Sequence, residues 1–359
     1  MKETEIRDIM AGGGGRRGVL LRPWLWLASR SYGDIMAWRR WNYRIGLLKS
    51  VKADVPVICV GNITTGGTGK TPMVAWVVAQ LAAAGAAPAI VTRGYKARDG
   101  KSDEAEMLCC LCDCPVVVNA NRVAGAQTAI VAGANVVVLD DGYQHRRLKR
   151  DLDIVLIDAI NPFGYGHVLP RGLLRERPAA LKDAHAVVIT RSDQITPDQL
   201  AELRGTLKEY APGASMHVAA HRPVGLLNEK SERLDLTELT GKRAVAFCGL
   251  GNPRGFFGTV RQVGADVAAE IAYNDHAVYD DTTVRQIDEL ADSADADVLV
   301  TTQKDAVKLA GLNFQKPLRQ LMIEMDILEG RYELVAKIAN LAPQEVEPAE
   351  DDQGESAGL

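Results

Sequence analysis

Residues 55–71, VPVICVGNITTGGTGKT, limit what this chain can fold into more than any other stretch. Residues 57–60 form a short β-branched apolar run that reads as a buried strand, followed by a Gly- and Thr-rich loop and then a helix-forming stretch. In such a loop the backbones of Gly66, Gly67 and Gly69 curl so that successive N–H groups face inward, and the helix N-terminus behind them adds positive dipole character. A polyphosphate is stabilised in that setting. Lys70 is placed to reach the β and γ phosphates of a nucleotide, and the Thr71 hydroxyl to hold Mg²⁺. Thr64 stands where the pattern G-x-x-x-x-G-K-[ST] has its first glycine, and Thr65 and Thr68 complete the cradle. A dinucleotide-binding reading fares worse, because Gly67-Thr68-Gly69 opens a G-x-G-x-x-G whose last position is Pro72. Proline in the first helical turn instead suits a helix that starts beside phosphates.

Further strand-like runs at residues 89–92, 136–139, 154–158 and 186–190 alternate with helix-forming stretches. This alternation predicts a parallel α/β sheet, with ligands at the carboxyl ends of its strands. The run 136–139 ends in Asp140-Asp141-Gly142, and a carboxylate at such a strand end can hold Mg²⁺ directly or through water. The pair Asp103-Glu104 precedes a helical stretch and by itself reads as an N-terminal charge preference. Arg171, Arg175 and Arg177 lie on a Gly- and Pro-containing loop, where they could clamp phosphate oxygens or make surface salt links. Arg191-Ser192-Asp193 resembles a guanine-reading motif too loosely to decide the base.

Residues 215–237 weaken into short extended pieces and read as a linker. A second, smaller α/β unit then begins with the run 245–248 and GLGNPRG, and continues through Asn274-Asp275-His276 and the run 298–301 to Thr302-Gln303-Lys304-Asp305. An isolated Asp-His pair reads as structural. The expected organisation is a nucleotide-binding core over residues 51–214, the linker, and a C-terminal domain over 238–341. With 359 residues, 47% of them hydrophobic, the chain is long enough for both.

The net charge of −4 gives no global reason to expect nucleic acid as a partner. Residues 16–52 depart from that average, since they are rich in Arg and Lys and hold Asp34 as their sole acid. Trp24, Trp26, Trp38 and Trp41 fall in the same segment, with Tyr32 and Tyr43. Amphipathic rings interleaved with arginines suit the headgroup boundary of an anionic bilayer, so residues 1–50 are expected to form a membrane-associating helical segment, with residues 1–15 mobile. The alternative is a helix packed on the core with its basic face in water. No stretch reads as a signal peptide, and the acidic tail 342–359 is expected to be disordered. Cys109, Cys110, Cys112 and Cys114 lack the paired spacing of a metal site and read as reduced thiols.

Taken together, WRRWNYRIGLLKS, VGNITTGGTGKTP, TRGY, SDE, LDDGYQH, NPFGYG with LPRGLLRE, FCGLGNP, NDHAVY and TTQKDAVKL occur in an order that resembles the tetraacyldisaccharide 4′-kinase family of Gram-negative bacteria. The resemblance covers roughly residues 18–310. It implies ATP- and Mg²⁺-dependent phosphorylation of the 4′-hydroxyl of an acylated glucosamine disaccharide 1-phosphate, giving lipid IVA. The expected location is peripheral, at the cytoplasmic face of the inner membrane, with no obligate protein partner. By the same resemblance Asp103 becomes the base that deprotonates the hydroxyl, and His276 assists it from the second domain. Asp140 and Asp141 become the magnesium-side carboxylates, and Arg175 and Glu176 lie near the phosphates. Two rival readings remain: a GTPase or metallochaperone-type switch, and a membrane-bound nucleotide-sensing scaffold.

Overall fold

The computed structural model describes residues 3–94, 103–274 and 277–343. Six parallel strands build the first lobe: β1 (Val57–Asn62), β2 (Pro88–Thr92), β3 (Val116–Val118), β4 (Val136–Asp140), β5 (Leu152–Asp158) and β6 (Ala186–Thr190). Their spatial order is β6-β5-β1-β4-β2-β3. β1, β2, β4 and β6 are buried along their whole length, because apolar layers lie on both faces. Val57 and Cys59 of β1 enter one core, while Ile58 and Val60 enter the other.

Helices α1 (Glu3–Ala11) and α2 (Gly15–Arg44) precede this sheet, and α3 (Lys70–Ala83), α4 (Asp103–Leu111), α5 (Arg122–Val131) and α6 (Pro197–Tyr210) connect or follow its strands. The opening residues were expected to be mobile, but α1 buries Ile9, and the Arg171 guanidinium donates to the Met10 carbonyl at 2.6 Å. Two apolar side chains and one buried-loop arginine thus hold a segment whose glycines begin only at residue 12.

Residues 215–227 are the largest departure from the expected organisation. They form β7 (Ser215–Leu227), one continuous strand rather than short extended pieces of a linker. Its first residues pair in parallel with β6, and from Val218 onward it pairs antiparallel with β12 (Leu318–Glu329). A short β8 (Arg233–Leu234) flanks it. In the second lobe, β9 (Arg243–Cys248), β10 (Asp266–Ala272) and β11 (Val298–Thr302) continue the same sheet in the order β10-β9-β11-β12. Helices α7 (Pro253–Gln262), α8 (Asp281–Ser293) and α9 (Gln303–Ala306) belong to that lobe. Helix α10 (Arg331–Ala339) returns to the first lobe, where Leu334 and Ile338 join the core beside α3. The lobes are therefore joined by a two-stranded antiparallel ribbon whose backbone groups are hydrogen-bonded through the junction.

Helix α2 lies against the first lobe with its small residues. Ser29 Oγ donates to the Val168 carbonyl at 2.9 Å, and a Cβ on Gly33 would approach Arg177 and Val168 to within 3.0–3.2 Å. Arg177 pairs with Asp34 at 2.6 Å. On the opposite face Leu20, Trp24, Leu27, Ile35, Trp38 and Trp41 point outward, Trp24 with 72% and Trp38 with 64% of its surface exposed. Among the described residues no helix is long and apolar enough to cross a membrane.

Candidate active site

β1 and β4 are neighbours, with Val60 opposite Asp140. The loop after β1 and the aspartates at the end of β4 consequently emerge at the same edge of the sheet. Gly66 and Gly69 take left-handed backbone angles, with φ of 113° and 86°. Gly69 caps α3 without any side-chain acceptor, so the first amides of that helix keep their hydrogen-bonding capacity for an anion. Side chains on neighbouring strands brace the loop. Asn62 Nδ2 donates to Thr68 Oγ1 at 2.9 Å, Thr190 Oγ1 to the Thr68 carbonyl at 3.0 Å, and Arg191 Nη2 to the Gly67 carbonyl at 2.6 Å. His221 of β7 packs behind Gly69 so tightly that a Cβ there would lie 2.5 Å from its Nε2. Burial, with Arg191 adding to it, pushes the His221 imidazole down to about 4, so it is neutral at physiological pH.

Lys70 Nζ lies 3.7 Å from Asp141, and Arg175 Nη1 donates to both Asp141 oxygens at 2.7 Å. Burial by itself raises the Asp141 carboxyl, but Lys70 and Arg175 outweigh it and hold the group below the usual carboxylate range. Asp140 behaves in the opposite way. It is buried, accepts from Thr92 Oγ1 at 3.0 Å, and is pushed up to about 6 by burial, by Glu104 and by Asp141. Adjacent aspartates thus have opposed environments, one neutralised by cations and one poised to bind a proton or a metal.

Lys70, Asp141 and Arg175 open into a cavity of about 640 Å³ between the lobes. Thr65, Gly66, Gly67, Thr68, Gly69, Lys70, Thr71, Asp141 and Arg175 line it from the first lobe, Asn252 and Gln303-Lys304 from the second, and Tyr32 and Met36 from α2. Thr64 lines a smaller adjoining cavity of about 180 Å³ on the far side of the loop, with Asp158 and Arg191. Asp140 is buried and lines neither cavity. Helix α4 starts at Asp103, and its Glu104 and Met107 reach the cavity wall. His276 lies outside the described residues.

Glu176 was expected beside the phosphates, but it does not line either cavity. It is buried 3.8 Å from Arg146, at a bend of the chain where Arg175 takes the cavity side. Of the three loop arginines, only Arg175 faces the cavity; Arg171 and Arg177 instead fasten α1 and α2. Sequence reasoning also missed His221, Asn252 and Tyr32 as cavity residues. Nothing in the local pattern around His221 marks it, whereas Asn252 sits in the GLGNP stretch that opens the second α/β unit.

The donor set fits Mg²⁺ held with a nucleotide. Asp140, Asp141 and Thr71 would supply the hard oxygens, and Mg²⁺ sites characteristically take one or two carboxylates and complete their shell with phosphates and water. Among the described residues no trio of His, Cys, Asp or Glu converges to hold a metal by itself.

Known proteins resemble this chain over most of its length. A family model for tetraacyldisaccharide-1-P 4′-kinase matches residues 21–341. The tetraacyldisaccharide 4′-kinase of Syntrophotalea carbinolica is 37% identical over 336 residues, covering 87% of this chain and 90% of the relative. That of Halothermothrix orenii is 36% identical over 321 residues, covering 81% and 83%. Among solved structures, Aquifex aeolicus LpxK in complex with ATP superposes with a TM-score of 0.70 at 26% identity, covering 89% of this chain and 99% of that one.

Proposed function

The chain belongs to the tetraacyldisaccharide 4′-kinase family, and from that premise we propose how its cleft performs the transfer. The reaction is ATP-dependent phosphorylation of the 4′-hydroxyl of tetraacyldisaccharide 1-phosphate in lipid A biosynthesis. Phosphoryl transfer needs in-line positioning and neutralisation of charge more than covalent help. The open α3 amides, Lys70 and Arg175 are the groups that would receive the ATP phosphates. Asp140, Asp141 and Thr71 would hold Mg²⁺, which spreads the charge developing on the phosphoryl oxygens. Asp103, at the start of α4, would take the proton from the sugar hydroxyl as it attacks, with His276 assisting from the second lobe. Motion about the β7–β12 ribbon would bring the lobes together over the substrates and expel water.

The observation that carries this reading is the extent of the cavity. It runs without interruption from Lys70 and Asp141 to Tyr32 and Met36 on α2, the helix whose other face exposes a row of tryptophans. That row supports a second part of the proposal: α2 lies along the surface of the cytoplasmic leaflet, with its rings in the headgroup boundary and arginines on lipid phosphates. A four-chain acceptor then meets the phosphates without leaving the bilayer.

The decisive assay incubates the protein with γ-labelled ATP, Mg²⁺ and the disaccharide 1-phosphate in detergent micelles. Label should appear on the lipid, vanish in Lys70→Ala and fall strongly in Asp103→Ala. Nucleotide hydrolysis that leaves the lipid unlabelled, above all with preference for GTP, would refute the proposal in favour of a nucleotide switch.

A further inference from the structure

Next to the cavity-lining residues Thr302, Gln303 and Lys304, the motif at the end of β11 contains an enclosed carboxylate. Asp305 is fully buried. Its Oδ2 accepts the Gly249 amide at 2.9 Å and the Thr302 hydroxyl at 2.7 Å, and its Oδ1 accepts the Tyr279 hydroxyl at 3.1 Å. The Thr302 hydroxyl in turn accepts the Asp305 amide at 3.1 Å, and Lys308 Nζ stands 3.9 Å from Oδ1. Three separate stretches therefore meet on one side chain: the turn after β9, the segment that ends in Tyr279, and the corner after β11.

Two of these stretches continue into the cleft. Gly249 leads through Gly251 to Asn252, and Thr302 leads to Gln303 and Lys304, all of which line the cavity opposite the phosphate loop. Tyr279 anchors the third stretch to the same carboxylate. The approach is close enough to exclude a larger residue at Gly249, whose Cβ would lie 2.9 Å from Asp305 and 3.1 Å from the Asn274 carbonyl. Tyr279 is further fixed by edge-to-face contacts with Tyr273 and Phe247, at centroid distances of 5.3 and 6.0 Å.

We propose that Asp305 is a positioning residue for the transfer: by tying the Gly249, Tyr279 and Thr302 segments into one unit, it sets the second-lobe wall against which the phosphate loop closes. A carboxylate suits this task because it accepts several donors at once, and in a buried site each of those bonds is strong and costly to lose. Asparagine has nearly the same shape but turns one acceptor into a donor facing the donors already present. Small displacements of the wall then reduce turnover, since an error of about 1 Å in positioning can cost roughly 10²-fold in rate. The proposal uses the kinase reading only for this turnover readout.

Asp305→Asn should keep ATP affinity within about threefold, because the phosphates rest on the first lobe, and lower kcat for lipid phosphorylation by roughly 10²-fold in fully folded protein. Tyr279→Phe, which removes one donor and keeps the ring, should lower kcat less. The double variant should be no worse than Asp305→Asn, because the two changes break one connection. Hydrogen exchange should rise in residues 249–252 and 277–279 while β9 and β11 stay protected. Should Asp305→Asn fail to fold, Tyr279→Phe and Thr302→Val carry the same kcat and exchange tests. Retained turnover, turnover lost only in step with the folded fraction, ATP affinity lost together with turnover, or unchanged exchange in these segments would each overturn the proposal. A wild-type protein that labels no lipid would overturn the kinase reading instead, and the exchange measurement would still decide the role of Asp305.

Discussion

Replacing Asp140 by asparagine probes the cost of keeping a carboxylate beneath the phosphate site. In the nucleotide-free protein burial, Glu104 and Asp141 push this carboxyl from its ordinary 3.8 up to about 6. At 1.36 kcal/mol for each tenfold change in the ionisation constant, the ionised form destabilises the native state by about 3 kcal/mol. A group raised in this way contributes its stability in full below about pH 4 and loses it as pH rises through about 6. Asp140→Asn removes that slope while its amide oxygen still accepts from Thr92. Without nucleotide, the variant and the wild type should unfold together at pH 4, and the variant should lead by up to about 3 kcal/mol at pH 8, which is several degrees in the unfolding midpoint. Urea or thermal unfolding across pH 4–8, followed by fluorescence, measures this gap. If Asp140 holds Mg²⁺ as proposed, the order should reverse with Mg²⁺ and ATP present, because only the wild type would offer a charged oxygen to the metal. A gap that does not vary with pH, or a variant less stable than wild type at pH 8 without ligand, would refute the electrostatic account.

Two further outcomes follow from the same geometry. Arg175→Ala should reduce kcat by roughly 10- to 100-fold through lost charge stabilisation. Because Arg175 helps hold Asp141 low, the acid limb of the pH–rate profile should also move toward neutral pH, and an unmoved limb would separate Arg175 from Asp141 in function. Trp24→Glu combined with Trp38→Glu should abolish flotation with anionic liposomes while ATP binding stays within about twofold, since both rings face away from the lobe. Unchanged flotation would remove α2 from the membrane.

Much of the first lobe is determined by the sequence alone. Strands buried on both faces must be continuous apolar runs, so β1, β2, β4, β5 and β6 announce themselves without long-range information. The phosphate loop is equally local, because its glycines, Lys70 and Thr71 act through backbone angles and spacing within a few residues. The aspartates at the end of β4 belong to the same class. β7 and β12 were illegible for the converse reason. Their burial alternates irregularly along the ribbon, and the residues that leave the core give no strand-like period. Only the tertiary structure decided that Arg175 faces the cavity while Glu176 turns to Arg146, and that Arg171 and Arg177 fasten the N-terminal helices. In the same way His221 presses on Gly69 from a strand about 150 residues away, and Asp305 joins three segments far apart in the chain. A side chain's partner depends on which surfaces the sheet order brings together, and sheet order is fixed by the packing of the whole chain rather than by any window of it.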